Sequence, residues 1–181
     1  MDYRSRYPVF LVYLSKFIDI FLVIAGITVL LLIFTNAVLR GAAGFDLAWS
    51  LEATAFLILW LTFMGCAAAT ARGAHMRVSE VAAHVIPKQF LPKLEMLINI
   101  VIAVLLGSLI YYGITISTHT WLQKTTVLYW PVGLLYASMP VGMSLALIFH
   151  LFNAKLDLRT GGALVASLQN TSENHHTEEF E

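Results

Sequence analysis

The chain has 181 residues, 59% hydrophobic and only 12% charged, with eleven basic and eleven acidic side chains. At a mean hydropathy of +0.76, a soluble domain could not cover its apolar surface with so few charges, so the composition excludes one and points to hydrocarbon as the solvent. Zero net charge gives no basic patch for nucleic acid, and the lone Cys66 excludes an internal disulfide, a CxxC redox pair and a cysteine zinc site.

A membrane-spanning helix needs about 20 mostly apolar residues. The first such run extends from Leu14 to Leu39 and ends at Arg40. Arg4 and Arg6 precede it as in a signal peptide, but the apolar stretch is far longer than a signal's and no small-x-small cleavage site follows, so it reads as a retained helix. Residues 1–13 form a cytoplasmic or interfacial N-terminus. The segment Tyr3 to Lys16 is either a separate interfacial piece, because tyrosines and basic residues favour that depth, or an extension of the first helix.

After a short connection, Gly41 to Ala48, the second span runs from Trp49 to Ala71 and ends at Arg72. The stretch His75 to Pro92 is too polar to cross a membrane. Val78, Val81, Ala82, Val85 and Ile86 nevertheless recur at helical spacing, with Arg77, Glu80, His84 and Lys88 between them. This pattern predicts a short amphipathic helix on the membrane surface, stopped at Pro87. The third span is Phe90 to Thr118 and the fourth Pro131 to Phe152, joined by His119 to Trp130. Pro140 should kink the fourth or free the carbonyl of Tyr136. The expected fold is therefore an all-α integral membrane protein, with a four-helix domain over residues 14–158. Residues 159–181, rich in glycine, polar residues and glutamate, predict a disordered cytoplasmic tail.

Basic residues favour the cytoplasmic side. With the N-terminus inside, nine fall there (Arg4, Arg6, Lys16, Arg72, Arg77, Lys88, Lys93, Lys155, Arg159) and two, Arg40 and Lys124, fall outside. Both termini are then cytoplasmic, and Trp49, Trp121, Tyr129 and Trp130 form an outer aromatic belt.

The middle of every span lacks charge; Lys16, Asp19 and Glu95 lie toward one end, Arg40 and Glu52 toward the other. A self-sufficient pump or exporter wants a buried ionisable group, and Glu52 is the most plausible carboxylate for that alternative. Asn36, Asn99 and the threonines and serines read instead as polar glue between helices. Arg40 and Glu52, brought to one face by the short connection, are either a clamp or partner contact, or two independently solvated charges. Haem bound by two histidines is a second alternative, opposed by depth: His119 and His150 end different spans at opposite faces, with about 30 Å of hydrocarbon between them. Small residues recur every four positions at Gly65, Ala69 and Gly73, and again at Ser138, Gly142 and Ala146. They allow close helix approach inside the bundle or against a second protein. No residue set suggests catalysis, a cofactor or a metal.

Taken in order, several runs resemble a known family. They are Val38-Leu39-Arg40, Trp49-Ser50-Leu51-Glu52, Trp60-Leu61-Thr62-Phe63-Met64-Gly65 and Arg72-Gly73-Ala74-His75-Met76-Arg77-Val78, followed by Pro131, Tyr136 and Pro140-Val141-Gly142. Together, over Asn36 to Phe152, they look like the small membrane subunit (Q) of tripartite ATP-independent periplasmic, or TRAP, transporters. Ser79-Glu80 and Leu128 to Pro131 depart locally from the family pattern. The resemblance implies a non-enzymatic, multi-pass protein of the bacterial inner membrane. Its partners would be a large membrane subunit that binds substrate and sodium, membrane lipid, and a periplasmic binding protein met at the outer face. The substrate would be an organic acid, such as a dicarboxylate or sialic acid. The small subunit would be a fixed scaffold for an elevator-type large subunit. Arg40, Trp49, Glu52, Trp60, Gly65, Arg72, His75, Pro131 and Pro140 are the candidate structural or partner-contact residues, and none is expected to be catalytic.

Overall fold

A computed structural model describes residues 7–73 and 91–159. These fold into five α-helices: α1 (Val9–Ala43), α2 (Ala48–Ala71), α3 (Leu91–His119), α4 (Val132–Tyr136) and α5 (Ser138–Arg159). Helix α4 and α5 run together as one span, so four helical segments are long and apolar enough to cross a membrane. The expected all-α membrane fold is thus the observed one. The surface helix expected over 75–92 lies mostly outside the described residues, which resume at Leu91 as the start of α3; the tail after Arg159 lies outside them entirely.

Helix α1 starts earlier than its apolar run suggests. Pro8 sits at the N-cap with extended backbone and the helix continues unbroken for 35 residues, about 52 Å of rise. Of the two readings of the N-terminal segment, extension of the first helix is the one observed from Val9 onward. At the other end Gly44 adopts a left-handed φ of 64° and its N–H caps the carbonyl of Leu39, a conformation a Cβ would strain. Asn36 then closes the connection: its Oδ1 accepts the N–H of Leu47 at 2.9 Å.

The fourth span is broken by chemistry centred on Pro140. The α-helical ladder lapses at Ala137, and Pro140 falls in the first turn of α5, where the missing proline N–H leaves no helical bond unmade. Ser138 Oγ donates to the carbonyl of Leu135 across the break at 2.6 Å. The proline ring seats on α3: a Cβ at Gly113 would lie 2.9 Å from Pro140 Cδ.

Helices α2 and α5 form the centre of the bundle, with α1 flanking α2 and α3 flanking α5. They approach closely at Gly142, where a Cβ would fall 2.6 Å from the carbonyl oxygen of Phe63. The other small-residue stripe behaves differently. A Cβ at Gly65 meets nothing within 4 Å, so packing among the described residues does not account for that glycine. The buried core, including Ile18, Ala67, Ala71, Ala146 and Phe149, lies toward the Arg72 end. Outward faces of α1 (Ile24, Ile27, Leu31, Phe34) and α3 (Ile100, Val104) are exposed and apolar, suited to lipid.

The two glycines make a paired test. Gly142→Ala forces α5 off α2 and is expected to cost about 1–3 kcal/mol, the usual penalty of overpacking. Gly65→Ala is expected to stay within about 0.5 kcal/mol of the parent. Thermal unfolding in mild detergent reads both; equal melting temperatures for the two variants would contradict the assigned α2–α5 contact.

Candidate functional site

No side-chain cluster in the described residues resembles a reaction centre. No group of three or more His, Cys, Asp or Glu side chains capable of holding a metal ion occurs among them. His150, buried near one end of α5, places Nε2 at 3.0 Å from the carbonyl oxygen of Asn99. The polar chemistry sits instead at the two ends of the bundle.

At one end Glu52, in the second turn of α2, grips the loop between α3 and α4. Oε1 accepts the hydroxyl of Thr126 at 2.7 Å and the N–H of Val127 at 2.8 Å. Oε2 accepts the N–H of Leu128 at 2.8 Å. A carboxylate can accept all three because both oxygens carry two lone-pair sites, and charge makes each bond stronger than a neutral one. The loop is shaped to present those groups. Thr125 N–H donates to the carbonyl of Trp130 at 2.9 Å, Val132 N–H to that of Gln123 at 2.8 Å, and Tyr129 takes a positive φ of 55°. The ring of Trp130 meets Phe56 of α2 edge-on at 5.4 Å, and Pro131, at the N-cap of α4, ends the loop.

From sequence, Arg40 and Glu52 are either a clamp or partner contact, or two independently solvated charges. The described residues hold no ion pair between them; Glu52 faces the loop, and Arg40 lies exposed in the last turn of α1. Loop N–H groups compete well because they arrive as a preformed pair, whereas Arg40 must order a long side chain at an exposed site.

The opposite end is tied by Tyr7, Asn153 and the end of α2. Tyr7 donates its hydroxyl to Asn153 Oδ1 at 2.5 Å and lies 3.0 Å from the carbonyl of Ala71. Asn153 Nδ2 donates to the carbonyl of Thr70 at 2.9 Å. The tyrosine ring stacks on Phe149 at 5.8 Å and meets Phe152 edge-on at 5.9 Å. Orphan carbonyls that end every helix are thus satisfied here by side chains from two other segments. Beside them Arg72, 55% exposed, pairs with Asp19 of α1 at 2.8 Å.

The remaining candidates scatter. Trp49 is exposed at the start of α2. Trp60 is half-buried mid-helix against Phe56 at 5.8 Å, its Nε1 unpartnered among the described residues. Pro140 marks the α3–α5 contact, a Cβ at Gly65 would meet no described atom within 4 Å, and His75 lies outside the described residues. The structure therefore brings Glu52 and Pro131 to one loop and places Arg72 alone at the other end. Sequence reading missed Tyr7, Asp19, Thr126 and Asn153. Asp19, a charge in an apolar run, and Asn153, an amide three residues from His150 on a largely apolar helix, carried a visible signal. Nor do the threonines glue helices: Thr62 and Thr115 donate to carbonyls four residues back, Ile58 and Tyr111, in their own helices.

Residues 29–160 match the family described as tripartite ATP-independent periplasmic transporters, DctQ component. No curated protein matches the chain significantly. The matched segment covers all four spans except the first part of α1, and the chain belongs to that family: it is the small membrane subunit of a TRAP transporter.

Loss of the Glu52 carboxylate should free the loop. Glu52→Ala removes three charge-assisted bonds and is expected to speed amide exchange at Val127 and Leu128 at least tenfold. Arg40→Ala should leave that exchange unchanged. Hydrogen-exchange mass spectrometry of the 123–131 segment is the measurement, and equal acceleration in both variants would restore the Arg40–Glu52 pairing.

Proposed function

We propose that this chain is the non-transporting scaffold of a sodium-coupled TRAP transporter for organic acids, holding an elevator-type large subunit at fixed depth and orientation. The observation that carries the reading is the distribution of charge. Between Asp19 and Arg40, Glu52 and Arg72, Glu95 and Lys124, and Lys124 and Lys155, no Asp, Glu, Lys or Arg occurs. An ion or carboxylate crossing through this chain would find no counter-charge at membrane depth.

The polar groups that do exist serve the helix ends. Glu52 is spent on backbone N–H groups of the loop, so it is poorly placed to relay protons in an exporter. His150 faces a backbone carbonyl rather than another histidine. A stator is required to resist tilt while its partner moves. Polar ties at both ends of the bundle and interfacial aromatic residues at Trp49, Trp121 and Trp130 suit that demand.

The orientation in this proposal puts the Glu52 loop on the periplasmic side, within reach of a periplasmic binding protein, and the Tyr7–Asn153 tie on the cytoplasmic side. Basic-residue bias supports it.

Two measurements test the proposal. Liposomes holding this chain alone should show no sodium-dependent uptake of dicarboxylate or sialic acid, whereas co-reconstitution with the large subunit and the binding protein restores it. Uptake by the chain alone ends the scaffold reading. In a Cys66→Ser background, a cysteine at Lys124 should react with an impermeant maleimide added outside whole cells, and one at Lys155 should not. The reverse pattern inverts the orientation while leaving the scaffold role standing.

A further inference from the structure

At the Glu52 end, α1 and α2 leave between them an open groove of about 590 Å³, within the ~300–1,000 Å³ span of small-molecule sites. Its α1 wall is Ile33, Asn36, Ala37 and Arg40, spaced so that all fall on one face of the helix. Ser50 and Thr54, one turn apart, are on the α2 wall.

The upper part of this groove is rich in hydrogen-bond donors. Arg40 has no ion-pair partner among the described residues, and Glu52 is taken by the loop. Asn36 uses its Oδ1 on Leu47, which leaves its amide N–H groups for a ligand. Ser50 is only 2% exposed, yet its hydroxyl makes no hydrogen bond within the described residues. That hydroxyl is not one of the fully buried groups lacking a partner; it opens on the groove and can donate to an acceptor there. The ligand's head is therefore an anion with several acceptor oxygens.

The lower part is apolar. Ile33 lies two turns from Arg40, about 10 Å deeper along α1, beside Ala37. A soluble anion would fill the top and leave this floor bare. A bilayer lipid fills both, with its phosphate at the level of the helix ends and a chain running down the groove.

We propose that the groove binds one phospholipid, its phosphodiester held by Arg40, Asn36 and Ser50 and one acyl chain lying along Ala37 and Ile33. A carboxylate side chain from the large subunit is the competing occupant. It would satisfy Arg40, but it carries no long apolar tail for the floor.

The test is native mass spectrometry of the full chain in mild detergent, titrated with three probes. These are dioleoyl phosphatidylglycerol, dioleoylglycerol (the same chains without phosphate) and glycerol 3-phosphate (the head without chains). The proposal expects one phosphatidylglycerol per chain, bound at least tenfold tighter than either other probe. Arg40→Gln should lower that affinity at least tenfold, Arg40→Lys should recover part of it, and Ser50→Ala should lower it a few-fold. Ala37→Phe, which fills the floor and leaves Arg40 in place, should weaken phosphatidylglycerol as well, and provides a second reading if Arg40→Gln misfolds. Equal binding of dioleoylglycerol or of glycerol 3-phosphate, or unchanged affinity in both Arg40→Gln and Ala37→Phe, overturns the proposal. So does a photo-crosslinker at Thr54 that captures the large subunit rather than lipid in native membranes.

Discussion

The bundle depends on how closely α5 can approach α2. Lipid tails are as apolar as leucine, so burying apolar side chains against one another gains little inside a membrane. Helices hold together there through close packing and through polar ties that lipid cannot replace. Gly142 supplies the first, because only a residue without Cβ lets the backbone of Phe63 come so near. From that contact the core spreads toward the Arg72 end, through Ala67, Ala71, Ala146 and Phe149. There Tyr7 and Asn153 add the second by capping the last carbonyls of α2.

The Glu52 end is built otherwise. Fewer large side chains are buried there, and buried small polar residues such as Ser50, Ser117 and Ser138 take their place. Ser117 donates to the carbonyl of Gly133 at 2.8 Å, joining α3 to the start of the fourth span. Cohesion at this end falls to hydrogen bonds, and the Glu52 carboxylate supplies three. The same looseness leaves the groove between α1 and α2.

Much of this architecture was legible in apolar run lengths. The second span was expected to begin at Trp49 and begins at Ala48, and the third, expected from Phe90, is helical from the first described residue of that stretch, Leu91. Run length reports hydrocarbon thickness, so it left open whether the segment before Leu14 continues the first helix, which it does from Val9. Lys16 and Asp19 interrupt its apolarity without interrupting its helix, because charged residues near a membrane surface keep good helical geometry. The partner of Glu52 was not legible, since three of its bonds go to a loop more than 70 residues away and two of those to backbone. Backbone donors have no sequence signature. Asn153 showed its polarity but not its partners, which are likewise a distant tyrosine and a backbone carbonyl.

Charge placement links these features to the proposed scaffold role. Every ionisable group near a span has been kept at an end, and the best-engaged of them, Glu52 and the Arg72–Asp19 pair, bind neighbouring segments of the same chain. Ions bound that way cannot also serve a transported solute without releasing the structure they hold. Arg40 differs: it stands at the membrane boundary with its charge unspent among the described residues and with a donor-lined, apolar-floored groove beneath it. Desolvating a free guanidinium is costly, so a bilayer phosphate that meets it removes a penalty rather than adding a luxury. A lipid so held would extend the α1–α2 face and resist tilting at the end where side-chain packing is thinnest. In a subunit that must stay still while its partner moves, that is where added stiffness has most effect.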